Sequence, residues 1–196
     1  MTAIKKPNNY ANTQEYGTGK SLPPGGYVVG IIKIEETKSK KGLPQLKVAF
    51  DIAEGEYQGY FREIFNKRKA ERPFEAKWPN NGMSYINIED DKGQCHRSFK
   101  SFCGALEKCG YTVWDMADNF LLDQIVGKTV GLTFGREEYE WEGKTGWSTK
   151  PKFFCSIEDI HNGDFNVPDD RPLAKETLEP SRPEGFTALS ENDIPF

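Results

Sequence analysis

Histidine and cysteine are scarce in this sequence, with 2 histidines and 4 cysteines among 196 residues. Neither histidine belongs to a metal-binding or nucleophile motif, and no C-x-x-C pair indicates a zinc site. The carboxylate cluster that a nuclease would need is not recognisable either. We therefore expect no enzymatic activity, no cofactor and no bound metal. The four thiols are expected to be reduced rather than joined in a disulfide framework: Cys95, Cys103, Cys109 and Cys155.

Long hydrophobic runs are also missing. Hydrophobic residues make up 36% of the chain, and no run approaches the roughly 18 apolar residues that a membrane-spanning helix requires. Residues 1–16 are polar, which argues against a secretory signal. The sequence therefore predicts a cytoplasmic protein with one modest hydrophobic core.

Charge is divided unevenly along the chain. Residues 1–157 carry 23 Lys and Arg against 20 Asp and Glu, whereas residues 158–196 carry 3 against 10. A weakly basic body with an acidic tail is typical of proteins that bind nucleic acid or other proteins, although a solubilising tail would give the same pattern. Loop-forming residues at the start, and prolines and acids at the end, predict three parts: a flexible arm at 1–25, one domain at 26–167 and a disordered acidic tail at 168–196.

Hydrophobic alternation predicts that this domain is mainly β. Gly30 inside the first strand indicates a bulge or a sharp bend. The first three strands would form an antiparallel meander, and a turn at 142–146 would join the last two. The five strands are expected at 27–34, 46–52, 57–65, 128–141 and 147–157.

The hydrophobic period changes to that of a helix between the third and fourth strands. Ser98 is suited to cap this helix, and Gly110 is suited to end it. A second short helix is expected at 118–126. The first helix is predicted from the spacing of Phe99, Phe102, Cys103 and Leu106.

Basic and aromatic residues occur together in three segments. Single-stranded nucleic acid binds in positive grooves where aromatic rings stack on the bases, and each stack contributes about 1–3 kcal/mol. The candidate DNA-binding residues are Lys38, Lys40, Lys41 and Lys47 around the first loop, Tyr60, Arg62, Lys67, Arg68, Lys69, Arg72 and Trp78 in and after the third strand, and Tyr139, Trp141, Lys144, Trp147, Lys150 and Lys152 in the last hairpin.

Each cluster also has an ordinary structural explanation. Lysine-rich loops are usually just solvated, and Tyr139 and Trp141 share one strand face, which equally suits a core position. Four acids would repel phosphate near the tip of the last hairpin: Glu137, Glu138, Glu140 and Glu142.

The end of the sequence combines acids with apolar residues. The segment Ser-Glu-Asn-Asp-Ile-Pro-Phe at 190–196 resembles the tip of bacterial single-stranded DNA-binding proteins, which typically ends in Asp-Ile-Pro-Phe after several acids. Only Glu191 and Asp193 are acidic here, so this segment is less charged than the usual tip. The resemblance implies that partner proteins bind to Asp193, Ile194, Pro195 and Phe196.

The body of the chain resembles phage and prophage single-stranded DNA-binding proteins from viruses of Gram-positive hosts. The similarity covers about residues 22–170. It is carried by Pro-Gly-Gly-Tyr at 24–27, Asp-Ile-Ala-Glu-Gly-Glu-Tyr at 51–57, Gly-Lys-Thr-Val-Gly at 127–131 and Gly-Asp-Phe-Asn-Val-Pro at 163–168. It implies a five-stranded Greek-key oligonucleotide-binding (OB) barrel with a helical insertion between strands 3 and 4. The ligand would then cross strands 2 and 3, between the loops at 37–44 and 136–150.

The resulting hypothesis is a non-catalytic protein that binds single-stranded DNA with little sequence preference. It would act in phage replication or recombination in the bacterial cytoplasm, and its tip would recruit host or phage proteins. The alternative is an interaction module that imitates the host tip and captures host repair proteins without DNA. The sequence leaves open the oligomeric state, the choice between DNA and RNA, and the face of the last hairpin that contacts nucleic acid.

Overall fold

The computed structural model describes residues 5–8, 10–12 and 21–173. Within these ranges the chain forms one five-stranded antiparallel sheet with four helices, which confirms the prediction of a mainly β protein. The strands are β1 (Gly25–Lys38), β2 (Pro44–Ile52), β3 (Met83–Asn87), β4 (Thr129–Trp141) and β5 (Lys144–Cys155). The helices are α1 (Tyr60–Glu71), α2 (Arg97–Lys108), α3 (Leu122–Ile125) and α4 (Ile157–Asn162), with short 3-10 turns at Tyr10–Asn12 and Asn80–Gly82.

The sheet has the strand order β3-β2-β1-β4-β5. Strand β1 is long enough to pair with β4 from Gly25 to Gly30 and with β2 from Val29 to Lys38. Its register with β2 shifts between Ile31 and Lys33, just after Gly30, where the sequence predicted a bend. This irregularity places Ile31 in the core, whereas Ile32 is exposed.

The core lies between the sheet and the helices that cover it. Helix α1 contributes Phe61, whose ring contacts Phe50 at 5.8 Å and Phe134 at 6.3 Å between centroids. Helix α2 contributes Phe102 and Leu106, which are both fully buried. Because the two helices bury large side chains against one sheet, the described chain has a single continuous core.

Residues 57–65 do not form the predicted third strand. Helix α1 begins at Tyr60, and the third strand of the sheet is Met83–Asn87 instead. Gly59, which precedes the helix, has no side chain to cap it, so Asp51 of β2 does this. Its carboxylate accepts hydrogen bonds from the backbone N–H of Phe61 at 2.9 Å and of Arg62 at 3.2 Å. The strand prediction was wrong because the aromatic residues of 57–65 are common in strands and their spacing fits a strand as well as a helix, whereas the cap that starts the helix lies in β2.

Other predicted boundaries shift for local reasons. His96 rather than Ser98 caps α2, because its ring Nδ1 accepts a hydrogen bond from the backbone N–H of Ser98 at 3.1 Å. Helix α3 covers only four residues, whereas a helix at 118–126 was predicted. The last hairpin turns through Glu142 and Gly143 alone, both with positive φ, so β5 begins at Lys144.

The chain after β5 packs back onto the sheet. Helix α4 is capped by Ser156, and its Ile160, together with Phe165, lies against Gly26 of β1. Residues 168–173, here called the strap, run beside β4 and form a parallel bridge between Arg171 and Glu137. The sequence assigned the strap to the disordered tail. The predicted arm at 1–4, 9 and 13–20, and the rest of the predicted tail at 174–196, lie outside the described residues.

None of the helices in the described ranges has both the length and the apolar character needed to cross a membrane.

Candidate functional site

A cleft of about 450 Å³ opens at the end of the sheet where α1 begins. We call it the end cleft. The chain preceding β1 forms one wall, and it is fixed there because the buried Leu22 donates its backbone N–H to Tyr60 Oη at 3.2 Å. The other walls come from α1, the 3-10 turn before β3, and the strands β4 and β5. Its lining residues are Ser21, Leu22, Pro23, Pro24, Tyr60, Phe61, Asn81, Arg136, Trp147, Ser148 and Thr149.

Trp147 and Arg136 form the part of the end cleft that is suited to a charged aromatic ligand. The hairpin register pairs Trp147 with Glu138 and Thr149 with Arg136, so both side chains project from the same strand face. The Arg136 guanidinium carbon lies 5.5 Å from the centre of the Trp147 ring, and this ring is 46% exposed. An exposed indole offers a stacking surface, and the adjacent guanidinium offers a phosphate contact.

The Arg136 guanidinium is held by a carboxylate of the strap. Its Nε donates to Asp170 Oδ1 at 2.9 Å, and its Nη2 donates to Asp170 Oδ2. These hydrogen bonds raise the pKa of Arg136 and lower the pKa of Asp170. The two side chains are 46% and 39% exposed, so the pair lies at the surface of the cleft.

The opposite side of the end cleft is tied to β5 by polar side chains. Asn81 Nδ2 donates to Ser148 Oγ at 3.0 Å, which joins the 3-10 turn to the strand that carries Trp147. Trp78 stabilises the same turn, because its indole N–H donates to the Gly82 carbonyl at 3.0 Å and its ring packs on Phe65 at 5.6 Å. Trp78 is therefore a half-buried anchor of the turn rather than a freely exposed ring.

Helix α1 carries exposed cations along its length beyond the end cleft. Its first turn carries Tyr60, which lines the cleft, and then Arg62, whose Nε lies 3.8 Å from Asp51 Oδ2. The second half of the helix is exposed, and Arg72 at its end pairs with Glu75 at 3.5 Å. The exposed cations of this helix and of its C-cap spread around more than half of the helix circumference, and together they are here called the basic helix face: Arg62, Lys67, Arg68, Lys69 and Arg72.

The other predicted residues of the last hairpin lie on its opposite face. Tyr139 and Trp141 alternate with the face that carries Trp147, and Lys144 pairs directly with Trp141. The Tyr139 ring packs over Gly146, where a Cβ atom would come 2.8 Å from its Oη. The sequence analysis grouped Tyr139 and Trp141 with Trp147, whereas the strand pairing places them on opposite faces of the hairpin.

Two predicted cations of this hairpin share one acid, which offsets one of their two positive charges. Glu137 accepts hydrogen bonds from Lys150 Nζ at 2.8 Å and from Lys152 Nζ at 2.5 Å. Both contacts lower the pKa of Glu137 to about 2. Lys150 and Lys152 therefore carry less free positive charge than the sequence suggests.

The first loop and the outer surface of β2 form a separate basic area. Lys38 and Lys40 are exposed, and Lys41 lies 3.5 Å from Asp91. Lys47 is directly opposite Tyr85 on the neighbouring strand, and the Tyr85 ring is 55% exposed. This pairing again places a cation beside an accessible ring.

The profile of a family described as "Protein of unknown function (DUF669)" matches residues 8–161, about four-fifths of the sequence. The chain belongs to the DUF669 family. No curated protein matches the sequence.

Three residues of this DUF669 chain that contribute to the end cleft or to the separate basic area were not predicted. Arg136 and Asn81 line the end cleft, and Tyr85 faces Lys47. Arg136 could have been found from the hairpin register if its turn had been assigned two residues rather than five. Tyr85 had only a short apolar alternation around it, which did not show that its ring is exposed.

The part of the DUF669 chain that the structure describes contains no cluster of side chains suited to bind a metal ion. No group of three His, Cys, Asp or Glu side chains there is arranged to hold a metal ion. All four cysteines are free, and burial raises the pKa of Cys103 to about 12. Cys103 is therefore a protonated core side chain.

Proposed function

We propose that this DUF669 protein binds single-stranded DNA with little sequence preference and has no catalytic activity of its own. The observation that carries the proposal is the pair formed by Trp147 and Arg136, in which an accessible indole and a guanidinium lie 5.5 Å apart in an open cleft. A base that stacks on the ring would place its phosphate within reach of the guanidinium. Stacking tolerates any base, which accounts for weak sequence preference.

The basic helix face supports a path for the DNA backbone beyond the end cleft. Tyr60 lines the cleft at the start of α1, and the cations follow along the same helix. Arg68 and Lys69 have no ion-pair partner among the described residues, so their charges remain available to phosphate. Lys47 with Tyr85, and the first loop with Lys38 and Lys40, supply a second area of the same chemistry.

We also propose that the sheet is an OB barrel with Greek-key topology. The strand order β3-β2-β1-β4-β5 is compatible with that topology, and β5 approaches β3 at the two edges of the sheet. The hydrogen bond between Asn81 and Ser148 links the 3-10 turn before β3 to β5, which supports closure into a barrel. Closing a sheet in this way protects edge strands from pairing with other chains.

Recruitment of host or phage proteins is proposed for Asp193, Ile194, Pro195 and Phe196. These residues lie outside the described structure, and the support is their similarity to the tip of bacterial single-stranded DNA-binding proteins. An apolar anchor next to acids suits a partner pocket with a basic rim. The proposed setting is phage replication or recombination in the cytoplasm of the bacterial host.

A titration with fluorescent oligothymidine at two salt concentrations tests DNA binding. The oligonucleotide should exceed the roughly 4–16 nucleotides that one OB fold occupies. We expect log K to fall with log salt by about 0.7 for each phosphate contact, and a duplex of equal length to bind more weakly. Equal affinity for duplex and single strand, or binding that salt does not change, would contradict the proposal.

A double variant on α1 tests the path along the basic helix face. Arg68→Ala with Lys69→Ala should reduce the salt slope by about 0.7 for each phosphate that the helix no longer neutralises. Lys92→Ala, an exposed lysine in the loop before α2, is the matched control and should leave the slope unchanged. A protein that captures host proteins yet fails to bind DNA would instead favour the interaction module.

A further inference from the structure

The strap forms hydrogen bonds with the part of β4 that does not pair with β1. Strand β1 pairs with β4 only as far as Phe134. Beyond that point, the Glu138 N–H donates to the Arg171 carbonyl at 2.9 Å, and the Arg171 N–H donates to the Arg136 carbonyl at 3.0 Å. The Leu173 N–H donates to Glu138 Oε2 at 3.1 Å. These hydrogen bonds fix the strap beside the end cleft.

Asp170 places a carboxylate where a DNA phosphate would bind. Both of its oxygens accept hydrogen bonds from the Arg136 guanidinium, and a phosphate can adopt the same two-point geometry. The guanidinium that Asp170 holds is also the one that lies against Trp147. A strand whose base stacks on Trp147 therefore needs a group that the strap already occupies.

The ion pair between Arg136 and Asp170 is of a kind that a ligand can displace. Both side chains are more than one-third exposed, so water and dissolved ions reach the pair and a competing anion can approach the guanidinium. The backbone bonds of the strap involve only the edge of β4, so breaking them leaves the rest of the sheet paired.

We propose that the strap is a built-in competitor for the end cleft: Asp170 occupies the phosphate position on Arg136, and bound DNA displaces the strap. This inference rests on the proposed function, because it assigns a mode of regulation to the same site. The competitor is the segment 168–173, independent of the residues that follow it.

Asp170→Asn in the full-length chain tests the competition, with Asp169→Asn as the matched control. Asp169 is also exposed and acidic, but it forms no ion pair or side-chain hydrogen bond among the described residues. In an oligothymidine titration at low salt, we expect Asp170→Asn to bind about two- to fivefold more tightly than the unmodified protein, the size of effect that one exposed ion pair supplies. Asp169→Asn should change the affinity clearly less, because it removes only general charge repulsion.

Hydrogen exchange measures the displacement directly. The backbone N–H groups of Arg171 and Glu138 should exchange faster when oligothymidine is bound, because both donate to the strap-to-β4 bonds. Exchange that is unchanged or slower in the complex would overturn the displacement.

The outcomes separate this inference from the function on which it rests. If the unmodified chain binds no single-stranded DNA, the proposed function and the competition both fail. If it binds DNA and the two aspartate variants have equal affinity, only the competition fails.

Discussion

Replacing Asp51 should reveal how strongly one buried carboxylate holds helix α1 to the sheet. Asp51 is 6% exposed, and its oxygens accept three backbone hydrogen bonds, from Ile52 and Phe61 at 2.9 Å and from Arg62 at 3.2 Å. In Asp51→Ala, the Phe61 and Arg62 N–H groups at the start of the helix and the Ile52 N–H of β2 lose this acceptor. Hydrogen bonds to charged groups contribute about 1.5–3 kcal/mol, and loss of a helix cap costs about 0.5–2 kcal/mol.

Because these contributions overlap, we expect Asp51→Ala to lower the free energy of unfolding by about 2–4 kcal/mol. For a chain of this size, that corresponds to a fall in Tm of about 4–16 °C. Asp51→Asn keeps the oxygen that accepts from Ile52 and Phe61, so it should cost about half as much. Urea unfolding followed by circular dichroism measures both variants.

The matched control is Asp91→Ala. Asp91 is exposed and lies 3.5 Å from Lys41, so its removal should change the unfolding free energy by less than about 1 kcal/mol. If Asp51→Ala were no more destabilising than Asp91→Ala, the buried carboxylate would not be what secures α1.

Three further predictions test the hairpin and the end of the sequence. Trp147→Ala should weaken oligothymidine binding by about 1–3 kcal/mol with little change in the salt slope, whereas Trp141→Ala, on the opposite face, should have a smaller effect; equal losses of affinity would contradict the separation of the two faces. Glu137 has a folded pKa of about 2, below its ordinary value of 4.5, so its contribution to stability is present above pH 4.5 and is lost as the pH falls towards 2. Acid titration of unfolding should therefore show a smaller decrease in stability over this range in Glu137→Gln, and an unchanged profile would contradict the assignment. Deleting Phe196 should abolish capture of host replication proteins in a pull-down while DNA affinity stays unchanged, and retained capture would contradict the role of the tip.

Four of the five strands were predicted near their actual positions, whereas β3 was missed, and β2 shows why hydrophobic alternation was enough. In β2, the side chains of Leu46, Val48 and Phe50 are all buried, as their spacing predicts. Helix α2 was likewise found from the spacing of its buried residues. In both elements, the spacing of apolar residues within the element is sufficient to predict its type and its buried face.

Helix α1 could not be assigned in this way because its cap is distant in sequence. Asp51 belongs to β2, and no local capping residue marks the start at Tyr60. The aromatic residues of 57–65 fit both a strand and a helix, so the choice depended on a contact that only the folded chain contains. The contact between Asp170 and Arg136 was not predictable for the same reason, because 34 positions of sequence separate the two residues.

The candidate site was found only in part for a related reason. Sequence clusters identified Trp147 and Tyr60, but a two-residue turn decides which face of the hairpin each aromatic residue occupies. Arg136 was overlooked among four neighbouring glutamates. Its role depends on diagonal proximity to Trp147, which strand pairing creates.

The attachment of α1 to β2 has a consequence for the thermodynamics of binding. Phe61 is buried in the core and Asp51 holds the first turn, so the direction of the helix is set before any ligand arrives. The cations on its exposed half are thus carried on a preorganised scaffold, and a bound strand would need to order only their side chains. Cations on a flexible loop would add the entropy cost of fixing the backbone, about 1–2 kcal/mol per residue. The basic helix face can therefore yield more binding free energy per charge than a lysine-rich loop of equal charge.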